Sequence, residues 1–197
     1  MRSTCTRLIA IATICLAAAG SLSLHAQQAA VDGPQYSGDE LLKPANYRSW
    51  AFVSSGLGMA YGPDATPGRP PLFTNVFVNP RAYRHFLETG TWPDQTMFVL
   101  EIRRAVSEGS INKGGNYQGE IVGIEAEVKD SRFPGNWRFF GFGRGGVNAS
   151  AAAVPQDASC YTCHKANGAV ENTFVQFYPE LMAVARQKGT INAGYQD

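Results

Sequence analysis

The sequence predicts an α+β fold, a mainly antiparallel five-stranded sheet with two or three packing helices. Three observations point to it. Five short runs alternate with period two or are dense in aromatic and β-branched residues. The links between them are mostly rich in Gly, Pro and Asn and too short for crossover helices. Two other segments repeat apolar residues every three to four positions.

Taken in order, residues 27–40 carry Gln, Ala, Gly, Pro and Asp without periodicity and read as a flexible leader, so a single domain, 41–197, starts near Leu41. Trp50 and Phe52 alternate with Ala51 and Val53 as a strand does, and Gly56 to Pro71 is a Gly- and Pro-rich loop. A second strand spans Leu72 to Val78. Asn79-Pro80 then marks a helix start, with Asn as cap and Pro in the first helical position. Tyr83, Phe86 and Leu87 form its apolar stripe, and Gly90 stops it. His85 falls on the polar face with Arg81, Arg84 and Glu88 and reads as a surface residue.

Thr96 to Arg104 is a third strand, with Phe98, Leu100 and Ile102 on one face and Met97, Val99 and Glu101 on the other. In a fourth strand Val122, Ile124, Ala126 and Val128 alternate with Gly123, Glu125, Glu127 and Lys129. Glu125 and Glu127 therefore read as a solvated face, not a catalytic carboxylate pair. After a turn at Phe133 to Asn136, Trp137 to Phe142 is a fifth strand. Gly141, Gly143 and Gly146 fit a dinucleotide-binding spacing, but Pro155 interrupts the segment after them and no crossover helix is present; these glycines instead let backbone approach something large. Phe174, Phe177, Tyr178, Leu181, Val184 and Ala185 predict a last helix, kinked or restarted at Pro179.

The first 26 residues read as an export signal: Arg2 and Arg7, an apolar run from Leu8 to Ala19, and a cleavage site at Leu24-His25-Ala26. The run is too short to span a bilayer, and it ends in Gly, Ser, His and Gln instead of basic stop-transfer residues. Cleavage after Ala26 leaves 171 residues with 15 basic and 16 acidic side chains. A near-neutral chain of this kind offers no electrostatic footing for nucleic acid or an anionic membrane surface. Export to an oxidising space outside the cytoplasm is expected.

Cleavage also leaves only two cysteines, both in Cys160-Tyr161-Thr162-Cys163-His164. C-x-x-C-H is a c-type haem attachment pattern: two thiols reach the two vinyl groups of one porphyrin and the next imidazole sits under the iron. One covalent haem c near the C-terminus is therefore expected, attached through Cys160 and Cys163 and ligated by His164. Two alternatives remain. A redox disulfide would leave His164 unexplained, and zinc would need His85 or a carboxylate as a further ligand.

An ordered set of landmarks resembles the cytochrome P-460 family: Asn46-Tyr47-Arg48-Ser49-Trp50, Val78-Asn79-Pro80 with Tyr83, Val128-Lys129-Asp130-Ser131, Pro134-Gly135-Asn136-Trp137, Cys160 to Lys165, and Phe177-Tyr178-Pro179. The resemblance implies a periplasmic homodimer with a mainly antiparallel sheet, a c-type haem with His164 as proximal ligand, and an open distal site. Members that oxidise hydroxylamine and nitric oxide cross-link the haem to a lysine on the strand after the Tyr83 helix. Here that position is Leu100, and no lysine occurs between Asp94 and Arg104. The chain thus resembles the cytochrome c'-beta branch, which lacks the cross-link and binds nitric oxide or carbon monoxide in an apolar pocket.

A leucine over the iron neither ligates nor donates a hydrogen bond, and Phe98 and Ile102 share its face. Met59, Met97 and Met182 read as packing or surface residues and not as a sixth ligand. The leading expectation is a five-coordinate haem that binds nitric oxide or a similar small diatomic molecule. The alternatives are a haem oxidoreductase acting on hydroxylamine, nitric oxide or peroxide, and an electron-transfer cytochrome with an unidentified redox partner. An enzyme needs polar distal groups, for which Arg144, Asn148 and Asp157 are the candidates just before the motif. Leu100→Lys is expected to restore cross-linking and to change the haem absorption spectrum under oxidising conditions; an unchanged spectrum contradicts the register assigned to Leu100.

Overall fold

The structure is a computed structural model that describes residues 32–60 and 70–196. The proposed export signal, 1–26, and positions 61–69 of the Gly- and Pro-rich loop lie outside the described residues. The fold belongs to the unit Pro34–Asp197. Its main sheet runs β3 (Ala51–Leu57), β4 (Leu72–Val78), β5 (Thr96–Val106), β6 (Tyr117–Lys129) and β7 (Trp137–Arg144), in that order and antiparallel throughout. A second, three-stranded sheet joins β1 (Tyr36–Ser37), β2 (Glu40–Leu42) and β8 (Ser150–Ala152). The helices are α1 (Pro80–Thr89), α2 (Ser159–Asn167) and α3 (Pro179–Lys188), with short 3-10 turns at Tyr47–Ser49 and Val175–Phe177.

The predicted α+β class and the five-stranded antiparallel sheet are both present. The small sheet was not expected. Its strands are two or three residues long, too short for a period to register, and β1 lies within the stretch read as leader. Strand β3 also runs through Gly56 into what read as loop. The last helix restarts at Pro179 and does not kink there. On it Met182, one step off the expected stripe, is buried with Leu181 and Ala185.

α1 begins at Pro80, as its sequence demands. Asn79, buried, turns its side chain to the sheet: Oδ1 accepts the Met97 N–H at 2.8 Å and Nδ2 donates to the Gln95 carbonyl. The helix start is thereby tied to β5. Gly90 ends the helix at φ 73°, a left-handed conformation that glycine adopts without steric cost, and a Cβ there would also stand 2.7 Å from Thr190 Oγ1. The buried stripe is Ala82 and Phe86 with partly buried Tyr83, while Leu87 is exposed. Phe86 stacks on Trp92 at 4.0 Å.

The two faces of the sheet do different things. One buries Met97, Val99, Ile124, Ala126, Val128, Phe140 and Phe142 against Leu41, Tyr47 and Trp50 from the N-terminal segment. The other packs Val78, Phe98, Trp137 and Phe139 against α1 and α3 at one end and opens into a cavity beyond.

Glu101, 2% exposed, anchors the N-terminal segment to the first face. Its carboxylate accepts the Tyr47 hydroxyl, Arg48 Nε at 2.8 Å and Arg103 Nε. Burial alone would raise its pKa, but these donors outweigh it and bring the group from 4.5 to about 2. The depressed pKa means that this stabilisation is fully present above about pH 4.5 and is lost as the pH falls toward 2. Glu101→Gln is expected to flatten that acid limb by on the order of 3 kcal/mol in denaturant titrations run across pH 2–6. Parallel stability curves for the two proteins would refute the assignment.

Candidate functional site

The cavity lies between the open face of the sheet and the segment from α2 to the Val175–Phe177 turn, with about 1020 Å³ of open space counting its mouth. Register across the sheet builds its wall in two lateral rows. One row is Phe98, Glu127 and Phe139, continued by Val78 in the core; the next is Val76, Leu100, Glu125 and Gly141. Phe98 and Leu100 therefore line the cavity from adjacent rows of β5, as their alternation required. Phe98 is held by edge contact with Trp92 and by stacking with Tyr178.

The reading of Glu125 and Glu127 as a solvated face holds for Glu125, which is exposed although it borders the cavity, and is corrected for Glu127, which is buried. Both line the cavity. The alternation of β6 was right, but at Glu127 the face opposite its apolar residues is covered by His164 of α2, whereas Glu125 keeps an exposed side. Burial raises the pKa of both carboxyls, and the charge of nearby His164 pulls each the other way. Ser54 and Thr74 add hydroxyls to the lining, so the wall is not wholly apolar. Arg144, Asn148 and Asp157 are not among the lining residues, nor is His85.

α2 carries the motif. Cys160 and His164 are four apart, on one helical face, and both reach the cavity. Cys163 is half-exposed on the neighbouring turn position, and both thiols are free. The His164 ring lies between Phe174, stacked at 4.0 Å, and Phe139 at 4.6 Å. Nδ1 is 2.8 Å from the Asn172 carbonyl, which can only accept, so Nδ1 carries the proton and Nε2 keeps its lone pair. Burial disfavours the charged ring, yet Glu127 and the Asn172 carbonyl outweigh this and raise the His164 pKa. A more basic imidazole is a better metal donor.

The Asn172 carbonyl is itself held in place. Its neighbour Glu171 has φ 51°, a costly conformation for a residue with a side chain. Five contacts maintain it. Its carboxylate accepts Trp92 N–H and Trp137 Nε1–H, each at 3.2 Å, and pairs with Lys129 Nζ at 2.7 Å. Asn192 takes the Glu171 N–H on Oδ1 and donates from Nδ2 to the Glu171 carbonyl. This clamp was not read from the sequence, because its members lie on β6, β7, the chain after α1 and the C-terminal tail.

A c-type haem suits these residues. A thiol and an imidazole point into one cavity from a single helical face. Gly141 stands in the wall where a Cβ would meet nothing within 4 Å, so backbone is open to a large flat group. Among the described residues three buried side-chain polar atoms lack a hydrogen-bond partner, and two of them, Glu127 Oε1 and Asn172 Nδ2, belong to the residues beside His164. Gly143 and Gly146, by contrast, serve the turn after β7. Met97 and Met182 are buried in the two cores, while Met59 lines the cavity, a position the sequence did not suggest.

The family model Cytochrome P460 matches residues 44–175, from just after β2 to the start of the last 3-10 turn. No curated protein matches the chain. Glu171→Ala is expected to cost about 2 kcal/mol in thermal or denaturant unfolding, since it leaves Lys129 and two indole- or backbone N–H donors without their acceptor. An unchanged unfolding midpoint would show that the loop is held without it.

Proposed function

This chain belongs to the cytochrome P460 family and is a c-type haem cytochrome, and on that premise we propose that it is an exported, monohaem, ligand-binding member resembling cytochrome c'-beta. Cys160 and Cys163 would hold the haem by thioether bonds and His164 would be the axial ligand from the protein. Bound there, the haem would supply an iron able to take up nitric oxide or a similar small diatomic molecule. The observation that carries this reading is Leu100. It lines the same cavity as His164, beside Phe98 in the next row, and the family resemblance sets it where a cross-linking lysine would otherwise stand. Neither side chain ligates or donates a proton, so together they favour small neutral ligands. Export and a homodimer belong to the same proposal, supported by the signal-like leader and by the family resemblance.

A second reading, a haem oxidoreductase acting on hydroxylamine or nitric oxide, has one observation in its favour. Glu125 pairs directly with Leu100 across β5 and β6 and faces the cavity, with its pKa raised by burial. A carboxyl with a raised pKa gives up its proton less readily than a free one, and substrate oxidation requires a group that can hold and pass a proton.

The two readings separate in one set of measurements. Ligand binding predicts a high-spin ferric spectrum, a stable ferrous nitric oxide adduct and no loss of hydroxylamine in the presence of an electron acceptor. A low-spin histidine–methionine spectrum would overturn five-coordination and point to Met59. Steady hydroxylamine turnover that falls at least tenfold in Glu125→Gln would establish the enzyme reading instead.

A further inference from the structure

His164 has a second hydrogen-bond acceptor beside the first. Glu127 Oε1 lies 3.5 Å from the same Nδ1 that donates to the Asn172 carbonyl, and it has no hydrogen-bond partner of its own. Its lateral neighbours in the sheet, Phe98 and Phe139, offer no donor. A buried carboxylate oxygen without a donor is costly and calls for an explanation.

We propose that Glu127 is a positioning residue for the axial histidine: its carboxylate shares the Nδ1 proton with the Asn172 carbonyl and so sets how strongly His164 donates to the iron. This rests on the reading of His164 as the haem ligand. The two acceptors differ in freedom. The Asn172 carbonyl is fixed through the Glu171 clamp, whereas the Glu127 side chain has three rotatable bonds above a central strand. Closing from 3.5 Å to the roughly 2.8 Å of a charge-assisted hydrogen bond takes about 0.7 Å of side-chain motion. A carboxylate acceptor raises imidazole basicity more than a carbonyl does, which stabilises the ferric over the ferrous state.

The test is a comparison of wild type, Glu127→Gln and, as a control for a remote surface charge, Glu120→Gln. At a fixed solution potential the ferric-to-ferrous ratio is expected to fall about tenfold in E127Q, which for one electron is about 59 mV, and to stay unchanged in E120Q. The iron–histidine stretching frequency of the ferrous haem should drop in E127Q as well, a readout that a role in packing alone would not move. An unchanged ratio and frequency in a haem-loaded E127Q overturns the proposal. Should E127Q take up no haem, the wild-type frequency decides: a value in the carboxylate-bonded range supports it, and one in the carbonyl-bonded range overturns it. A pyridine haemochrome spectrum of wild type without two thioether bonds would instead remove the reading of the site itself, which the E127Q comparison leaves untouched.

Discussion

The strict alternation of β6 is the constraint on which the site depends. Side chains two apart on a strand share a face, so placing Ile124, Ala126 and Val128 in the core behind the sheet commits Glu125 and Glu127 to the front. Pairing with β5 and β7 then fixes what stands beside each carboxylate: Leu100 and Gly141 next to Glu125, Phe98 and Phe139 next to Glu127. A one-residue slip would exchange the two faces, putting both carboxylates into the apolar core behind the sheet. The chemistry of the cavity is therefore a consequence of register, and register is secured by the fully buried residues of the opposite face.

Around this wall the protein builds rigidity in layers. One end of the front face is solid core, where Phe86, Trp92 and Phe98 stack and Asn79 ties α1 to β5. The middle is the histidine site, whose acceptor carbonyl follows a strained Glu171 held by contacts from β6, β7, the chain after α1 and the C-terminal tail. Beyond the row of Leu100 and Glu125, Gly56 and Thr74 continue the cavity lining, together with Met59. Passing along the sheet, packing gives way to a positioned histidine and then to open cavity. Such an order suits a cofactor whose attachment is fixed by covalent chemistry and whose reactivity is set by neighbours on the open side.

Much of this was legible in the sequence wherever a period or a spacing was long enough to read. The strands, the helix from Pro80 to Gly90, the C-x-x-C-H turn and the shared face of Phe98, Leu100 and Ile102 are all products of local pattern. What eluded it was that Glu127 is buried while Glu125 keeps an exposed side, because the two look alike in sequence and the cover is contributed by residues thirty to fifty positions later. The same reason hid the Glu171 clamp and the Asn172 carbonyl, whose partners are scattered along the chain. β1, β2 and β8 were missed because pairing, and no pattern within them, makes them strands. Arg144, Asn148 and Asp157 were favoured for nearness to the motif in sequence, and nearness in the chain is not nearness across a sheet.

Two carboxylates of one strand thus face the proposed haem site of this cytochrome P460 family member, one beside the axial histidine and one beside Leu100. A crystal structure of the haem-loaded wild-type protein tests that most directly. It should show Glu127 within hydrogen-bond reach of His164 Nδ1 and Glu125 on the wall of the same pocket next to Leu100. Carboxylates of Glu125 and Glu127 turned to bulk solvent, with the haem attached to Cys160 and Cys163 but lying away from this face of the sheet, would contradict it.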